Sequence, residues 1–313
     1  MKLKWFIVGL AFAVAGCAGQ NGAGAPSASP DVPPSAASPS ALPSREPGES
    51  AEAPVPSERV LDTERLSPLF GFADEQGGRL MALTAGIEHS GTTDEASLNG
   101  YRLAIGEGGQ VLRIRYDKHQ ARSEQDNGRQ AAHNFDQMEG DVYTIEEGKA
   151  KPNESYYLVG EEQFDVRALI PLQATADRKL PEEAAKRIAE AKGREIEQGW
   201  LLARGEEGQR LYAVQFQRQG EEMLASLVWQ DEERFVFMDY PAVYDEYSTW
   251  RVDDGGQISP DMFRFLFAAR SEDGVVLGVQ WMGAEGENLD ILTSSGDRFE
   301  ETGLSASRYL SPI

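Results

Sequence analysis

From about residue 60 onward, apolar and polar positions alternate with a period of two over short stretches. In "QRLYAVQFQRQ", Leu211, Ala213 and, after Val214, Phe216 are set among polar neighbours. "MLASLVW", "RFVFMDY", "MFRFLFAA" and "VVLGVQWMG" are brief aromatic or β-branched runs bounded by glycine or acidic residues. This is the pattern of sheet strands. The turns between them are written as "DEQGG", "GEGGQ", "GEEGQ", "DDGG" and "SEDG", where glycine supplies the positive φ that tight connections need. The period changes in one place. "LPEEAAKRIAEAKGREIEQGW" puts Ala184, Ile188, Ala191 and Glu195 at helical spacing, widened by Ala185, Ala189 and Ile196. Pro181 suits a first turn, Glu182 and Glu183 complement the N-terminal dipole, and Gly199 is placed to end the helix. The expected fold class is α+β, mainly β: two tandem strand-rich domains with a helix between them.

An internal comparison supports two related halves. "GYRLAIGEGGQVL" from Gly100 and "GWLLARGEEGQRL" from Gly199 agree at eight of thirteen positions without a gap. "YTIEEGKAKPNESYYL" from Tyr143 aligns with "WRVDDGGQISPDMFRFL" from Trp250 in the same order and at a similar offset. Duplication explains this, and so does convergence of two hairpins on a glycine-rich turn.

Ahead of the strand-rich part the composition is different. Residues 18–58 hold nine of the sixteen prolines and no aromatic residue, too little apolar surface to offset the entropy of ordering. They read as a disordered or polyproline-like tether with an r.m.s. span of roughly 35 Å, or up to about 130 Å if stiffened. The organisation expected is a signal segment over 1–16, the tether over 17–59, a first β-rich domain over 60–176, and a second over 177–313 that begins with the helix.

Charge narrows the partners. The formal net charge is -22, which opposes nucleic acid and anionic surfaces and favours cations or basic partners. The single cysteine, Cys17, leaves the strand-rich part without disulfides. His89, His119 and His133 fall in segments that read as loops and lack ligand spacing, so neither zinc nor any other resident metal is expected. No G-x-S-x-G elbow or P-loop is present, and no catalytic residue is assigned.

Two loops offer chemistry of lower specificity. Trp250 with Asp253 and Asp254 is the candidate ligand or cation loop, and Trp281 with Glu285 and Glu287 is a similar set. An aromatic platform beside paired carboxylates suits carbohydrate. Tyr143 with Glu146 and Glu147 is the equivalent trio in the first half. Turn carboxylates are also calcium donors, although neither "DDGGQISPD" nor "EEGKAKPNE" has EF-hand spacing. No cofactor is otherwise expected, and inward-facing tryptophans with solvated turns are the simpler reading.

The N-terminus supplies an address. Met1-Lys2-Leu3-Lys4 precedes an uncharged run from Trp5 to Val14, then Ala15-Gly16 and Cys17. A basic start, about ten apolar residues and two small ones form the plan of a secretory signal, well short of the roughly 20 residues of a membrane span. Val14-Ala15-Gly16-Cys17 resembles the lipobox of bacterial lipoprotein precursors, with Val14 where the family usually has Leu. The resemblance implies cleavage before Cys17, a diacylglycerol thioether on its sulfur, and an extracytoplasmic chain anchored to the bacterial cell membrane by lipid. A second resemblance covers Leu180 to Trp229, where "LPEEAAKRIAEA" followed by "RLYAVQFQRQGEEMLASLVW" looks like a PepSY-type unit. It departs from that family at "VWQDEERF", and no site follows from it.

The function expected from these readings is a non-enzymatic envelope module that binds a protein, peptide or cell-wall ligand, and no nucleic acid. A carbohydrate-active enzyme using paired carboxylates and a PepSY-like peptidase modulator are the alternatives.

Overall fold

The computed structural model describes residues 60–83 and 95–310. Cys17, the signal and tether segments and His89 lie outside the described residues. Mainly β with few helices, the fold is of the α+β type expected, built as two strand-rich bodies.

The first body is a closed antiparallel barrel. Its strands are β1 (Phe70–Ala73), β2 (Arg79–Leu83), β3 (Leu103–Gly106), β4 (Gln110–Gln120), β5 (Gly140–Glu147) and β6 (Ser155–Val159), in the order β1-β2-β5-β4-β3-β6. Ala73, Leu80, Ala104, Ile114, Tyr143 and Leu158 fill the interior from all six strands. The short helix α1 (Glu95–Leu98) adds Leu98, whose carbonyl accepts a hydrogen bond from Tyr143 Oη at 3.1 Å. Strand β4 alternates buried and exposed positions, because one of its faces meets water, whereas β1 and β6 are buried throughout. Their second face packs on the other body, which is why "FGFA" and "SYYLV" read as continuous apolar runs.

The second body is one ten-stranded sheet made of two four-strand meanders. The first meander is β9 (Ile196–Gly205), β10 (Arg210–Phe216), β11 (Glu222–Asp231) and β12 (Arg234–Val243). The second is β13 (Phe263–Ser271), β14 (Gly274–Met282), β15 (Gly286–Ser295) and β16 (Arg298–Tyr309). Ahead of them run β7 (Leu169–Ile170) and β8 (Leu172–Ala174), which pair with β13 and β9 respectively. The two edges of the sheet are thus separated in sequence only by Pro171, and the sheet curls back on itself. Leu211, Leu227, Trp229, Val236, Leu277 and Leu292 pack together on its concave side. The convex side of β13–β16, with Phe267, Val276, Leu289 and Ile291, forms a shared core with Phe70, Phe72, Tyr157 and Phe164 of the first body.

Helix α2 (Glu182–Lys192) covers the convex side of β9–β12, burying Ala184 and Ile188 against Tyr212, Val214 and Val228. It ends earlier than the sequence suggested. Gly193 takes a left-handed φ of 61° and its N–H closes on the carbonyls of Ala189 and Glu190. Glu195 is therefore past the helix, and Ile196 opens β9. Gly199 serves close packing instead, since a Cβ there would sit 2.6 Å from Leu180 Cδ2. Segment Leu180 to Trp229, the stretch likened to a PepSY unit, comprises α2 and three strands of this larger sheet.

Of the two internally matched pairs, the first falls on two hairpins, β3–β4 and β9–β10. Their turns differ: Glu107, Gly108 and Gly109 all have positive φ, whereas only Gly208 does in the second. In the other pair, Tyr143 is a buried residue of β5 while Trp250 lies in the loop before β13. His119, expected in a loop, lies on β4 with Nδ1 3.1 Å from Asp141 Oδ1. Among the described residues no helix is long and apolar enough to cross a membrane.

Candidate ligand cleft in the second sheet

Strands β12 and β16 run parallel and share one registered pair, Phe237 with Arg298, sealed by Phe237 N donating to Asp297 O at 2.9 Å. Beyond it they part. On β12 the alternate residues facing this edge include Pro241, which has no N–H for the next ladder bond. On β16, Gly303 has a φ of 80° and the register with β15 shifts between Asp290 and Leu292, the signs of a bulge that bends a strand. Side chains of β12, β14, β15 and β16 and of the loop after β12 enclose a cavity of about 450 Å³ at this opening.

Aromatic rings form its wall. Trp281 lies 5.0 Å from Phe263 in an edge-on contact and 5.3 Å from Tyr240. Trp250 donates from Nε1 to the Tyr240 carbonyl at 2.9 Å, which ties the loop ring to the strand ring. Asp239, Thr249, Asn288, Asp290 and Glu301 supply the polar lining, Asp239 being already paired with Lys192 of α2 at 2.6 Å, and among the described residues no Lys, Arg or His lines the cavity. The acids feel one another: burial, and then the charge of Glu301, raise the Asp290 carboxyl above the ordinary carboxylate range. Burial, and then the charges of Asp290 and Glu301, push the Tyr240 hydroxyl up as well. Among the described residues, the carboxylates of Asp290 and Glu301 have no hydrogen-bond or ion-pair partner, although both residues belong to paired strands.

The three residues of the candidate loop have separate fates. Trp250 lines the cavity. Asp254 is an internal brace whose carboxylate accepts backbone N–H bonds from Thr249 (3.1 Å), Trp250 (2.6 Å), Arg251 (2.7 Å) and Gly256 (2.9 Å). Burial works to raise its pKa, but those four donors prevail and hold it below the ordinary range. Asp253 is exposed, with a φ of 63°, and does not line the cavity. The loop therefore turns N–H groups, not oxygens, toward its one centred carboxylate. No group of three or more His, Cys, Asp or Glu side chains arranged for a metal ion occurs among the described residues.

Glu287, grouped in sequence with Trp281, faces the other way. Strand alternation sends Glu287, Leu289 and Ile291 toward the first body and Asn288 and Asp290 into the cleft. Buried Glu287 pairs with the fully buried Arg308 at 3.1 Å and hydrogen-bonds Ser155 of the first body and Gln280. The trio in the first half is likewise dispersed: Tyr143 is inside the barrel, while Glu146 and Glu147 pair with Arg115 and Arg113 on its surface. Sequence reasoning missed Asp290 and Glu301. Their signal was an acid at the polar beat of "GENLDIL" and another at the start of a strand, both common in surface strands.

Close in sequence to lining residues of the cleft, Val243, Tyr247 and Val252 are 68%, 67% and 58% exposed. A larger concavity on the first body, about 740 Å³, is lined by charges that pair internally, Arg113 with Glu161 and Arg167 with Asp165. No family model, no curated protein and no solved structure matches the chain.

Proposed function

We propose that this chain is a bacterial envelope lipoprotein whose cleft binds a ligand outside the cytoplasmic membrane. Cys17 carries the lipid, residues 17–59 act as the tether, and the strand-rich bodies are the displayed module. The lipobox-like Val14-Ala15-Gly16-Cys17 supports the anchor. The observation that carries the binding role is the cavity between β12 and β16, where Tyr240, Trp250 and Trp281 stand beside Asp290 and Glu301, whose carboxylates have no hydrogen-bond or ion-pair partner among the described residues. Aromatic walls with a few convergent polar groups are what ligand sites are made of, and the exposed Val243, Tyr247 and Val252 extend the contact surface for a protein, peptide or wall component.

The anchor is tested by intact mass and membrane partitioning of the native chain beside Cys17→Ala. Acylation and release of the variant are expected, and equal solubility without added mass would remove the lipoprotein reading. Binding is tested with Cys17→Ala, which separates it from anchoring, on purified wall material and on envelope proteins. Trp281→Ala is expected to reduce retention at least tenfold, and unchanged retention would refute the role of the cleft.

A carbohydrate-active enzyme is the second reading, favoured by the proximity of Asp290 and Glu301 beside two tryptophans. It requires turnover of an oligosaccharide that Asp290→Asn and Glu301→Gln both abolish.

A further inference from the structure

We infer that the ligand group entering the cleft is an organic cation, an ammonium or guanidinium at the end of an aliphatic chain such as a lysine or arginine side chain of a partner. The inference rests on the cleft being a binding site and names the chemistry of its occupant.

The first ground is the way this chain treats its aromatic rings elsewhere. Arg308 lies 4.3 Å from the Phe72 ring centroid, Lys192 4.2 Å from Phe237, Arg187 4.8 Å from Phe235 and Arg218 4.1 Å from Tyr244. Phe235 and Phe237 belong to β12 itself, and their rings take cations from α2. Tyr240, three residues on from Phe237, with Trp250 and Trp281, receives no cation from the protein among the described residues. Indole and phenol faces attract cations through their quadrupoles, most strongly where water is partly excluded.

The second ground is charge. Apart from Asp239, which Lys192 already pairs, Asp290 and Glu301 share a cavity with no basic residue among its described lining. Two carboxylates against aromatic walls repel each other, and the electrostatic coupling between them is unfavourable. A cationic ligand removes that cost on binding, whereas a neutral sugar leaves it in place. The third ground is scale. A volume of about 450 Å³ lies toward the lower end of small-ligand sites and accommodates one long side chain. The net charge of -22 also raises the local concentration of such a group near the protein.

The test uses tryptophan fluorescence and calorimetric titration of the full chain with three probes. They are N-acetyl-lysine methylamide, its neutral isostere N-acetyl-norleucine methylamide, and a neutral trisaccharide. The lysine probe is expected to bind at least tenfold more tightly than the isostere and to weaken as salt is added. Asp290→Asn and Glu301→Gln are each expected to lower its affinity tenfold or more, with far-UV circular dichroism unchanged. Equal binding of lysine probe and isostere would overturn the cationic assignment and leave the cleft standing. Binding of the trisaccharide alone would do the same and move the site to carbohydrate. Absence of binding by all three at millimolar concentration would overturn both this inference and the cleft on which it rests.

Discussion

Replacing Arg308 by Met should be among the most destabilising single changes in this protein. The guanidinium is fully buried between the two bodies, where it pairs with Glu287 at 3.1 Å and donates to the carbonyls of Gln130 at 2.5 Å and Asn153 at 2.8 Å. It also contacts the Asn153 side chain and Ser155 Oγ and lies over the Phe72 ring. Burial lowers its pKa, and the carboxylate of Glu287 works against that. Methionine matches much of the volume, so the cost is chiefly the Glu287 carboxylate left buried with only Ser155 and Gln280. Breaking one side of a buried pair costs about 3–5 kcal/mol. For a body of some 250 residues each kcal/mol moves the melting temperature by roughly 2–4 °C, so a fall of about 10 °C is expected in thermal unfolding, with a matching loss in urea. The double variant Glu287→Leu with Arg308→Met removes the orphaned charge and should recover about 1.5 kcal/mol or more of the single-variant loss. Recovery stays incomplete because Gln130 and Asn153 still lose their donor, at about 1 kcal/mol for each bond. A single variant costing under about 1 kcal/mol, or a double variant showing simple additivity, would refute the role of this pair as the bolt between the bodies.

Asp254→Ala should loosen the loop that carries Trp250, since four backbone N–H groups lose their acceptor; a loss of about 1–3 kcal/mol is expected in urea unfolding. The folded pKa of Asp254 lies below its unfolded value, so its stabilisation is complete above the ordinary Asp range, near 4, and is lost as pH falls through the lowered value. Stability measured against pH should therefore decline less steeply on the acid side in Asp254→Asn than in the native chain, and identical profiles would count against the brace. Asp290 has the opposite sign: its folded pKa is raised, the native state holds the proton longer, and stability falls as pH climbs from the unfolded value through the folded one. Asp290→Asn should accordingly melt higher than the native chain at neutral pH without ligand, and a lower melting temperature would contradict the reading of Asp290 as a residue kept for binding at the expense of stability.

The strands were legible because local spacing determines them. "RLYAVQF" and "VVLGVQWM" lie in β10 and β14, and "DEQGG", "GEGGQ", "GEEGQ" and "SEDG" join hairpins, whereas "DDGG" lies in the long loop between β12 and β13. The end of α2 was misplaced because helical spacing continues by coincidence through Ile196, while the backbone responds to the first residue that tolerates a left-handed φ, Gly193. Long-range pairing was not legible. Alternation says that Glu287 and Asn288 face opposite ways but not which face meets another body, so the buried bolt and the cleft acids could not be told from surface charges. Both tryptophans singled out in sequence do reach one cavity, yet from a loop and from β14, more than thirty residues apart. The neighbouring acids in sequence went to a loop brace and to the interface between the bodies.

The cleft itself is a consequence of how the second sheet fails to close. At its other seam the strands bracketing Pro171 hold β13 and β9 on either side of a single residue. At the β12–β16 seam a complete ladder would bury Tyr240 and Trp281 as ordinary core and would leave no room for Asp290. Pro241 withholds a donor from one edge and the bend near Gly303 turns the other away, which also protects both edges from pairing with a second chain. The same two devices that keep the seam apart thus admit water to carboxylates that a closed sheet could not tolerate. A sheet optimised only for stability would have neither the split nor the two acids, and their joint presence is the strongest reason to read this place as a site.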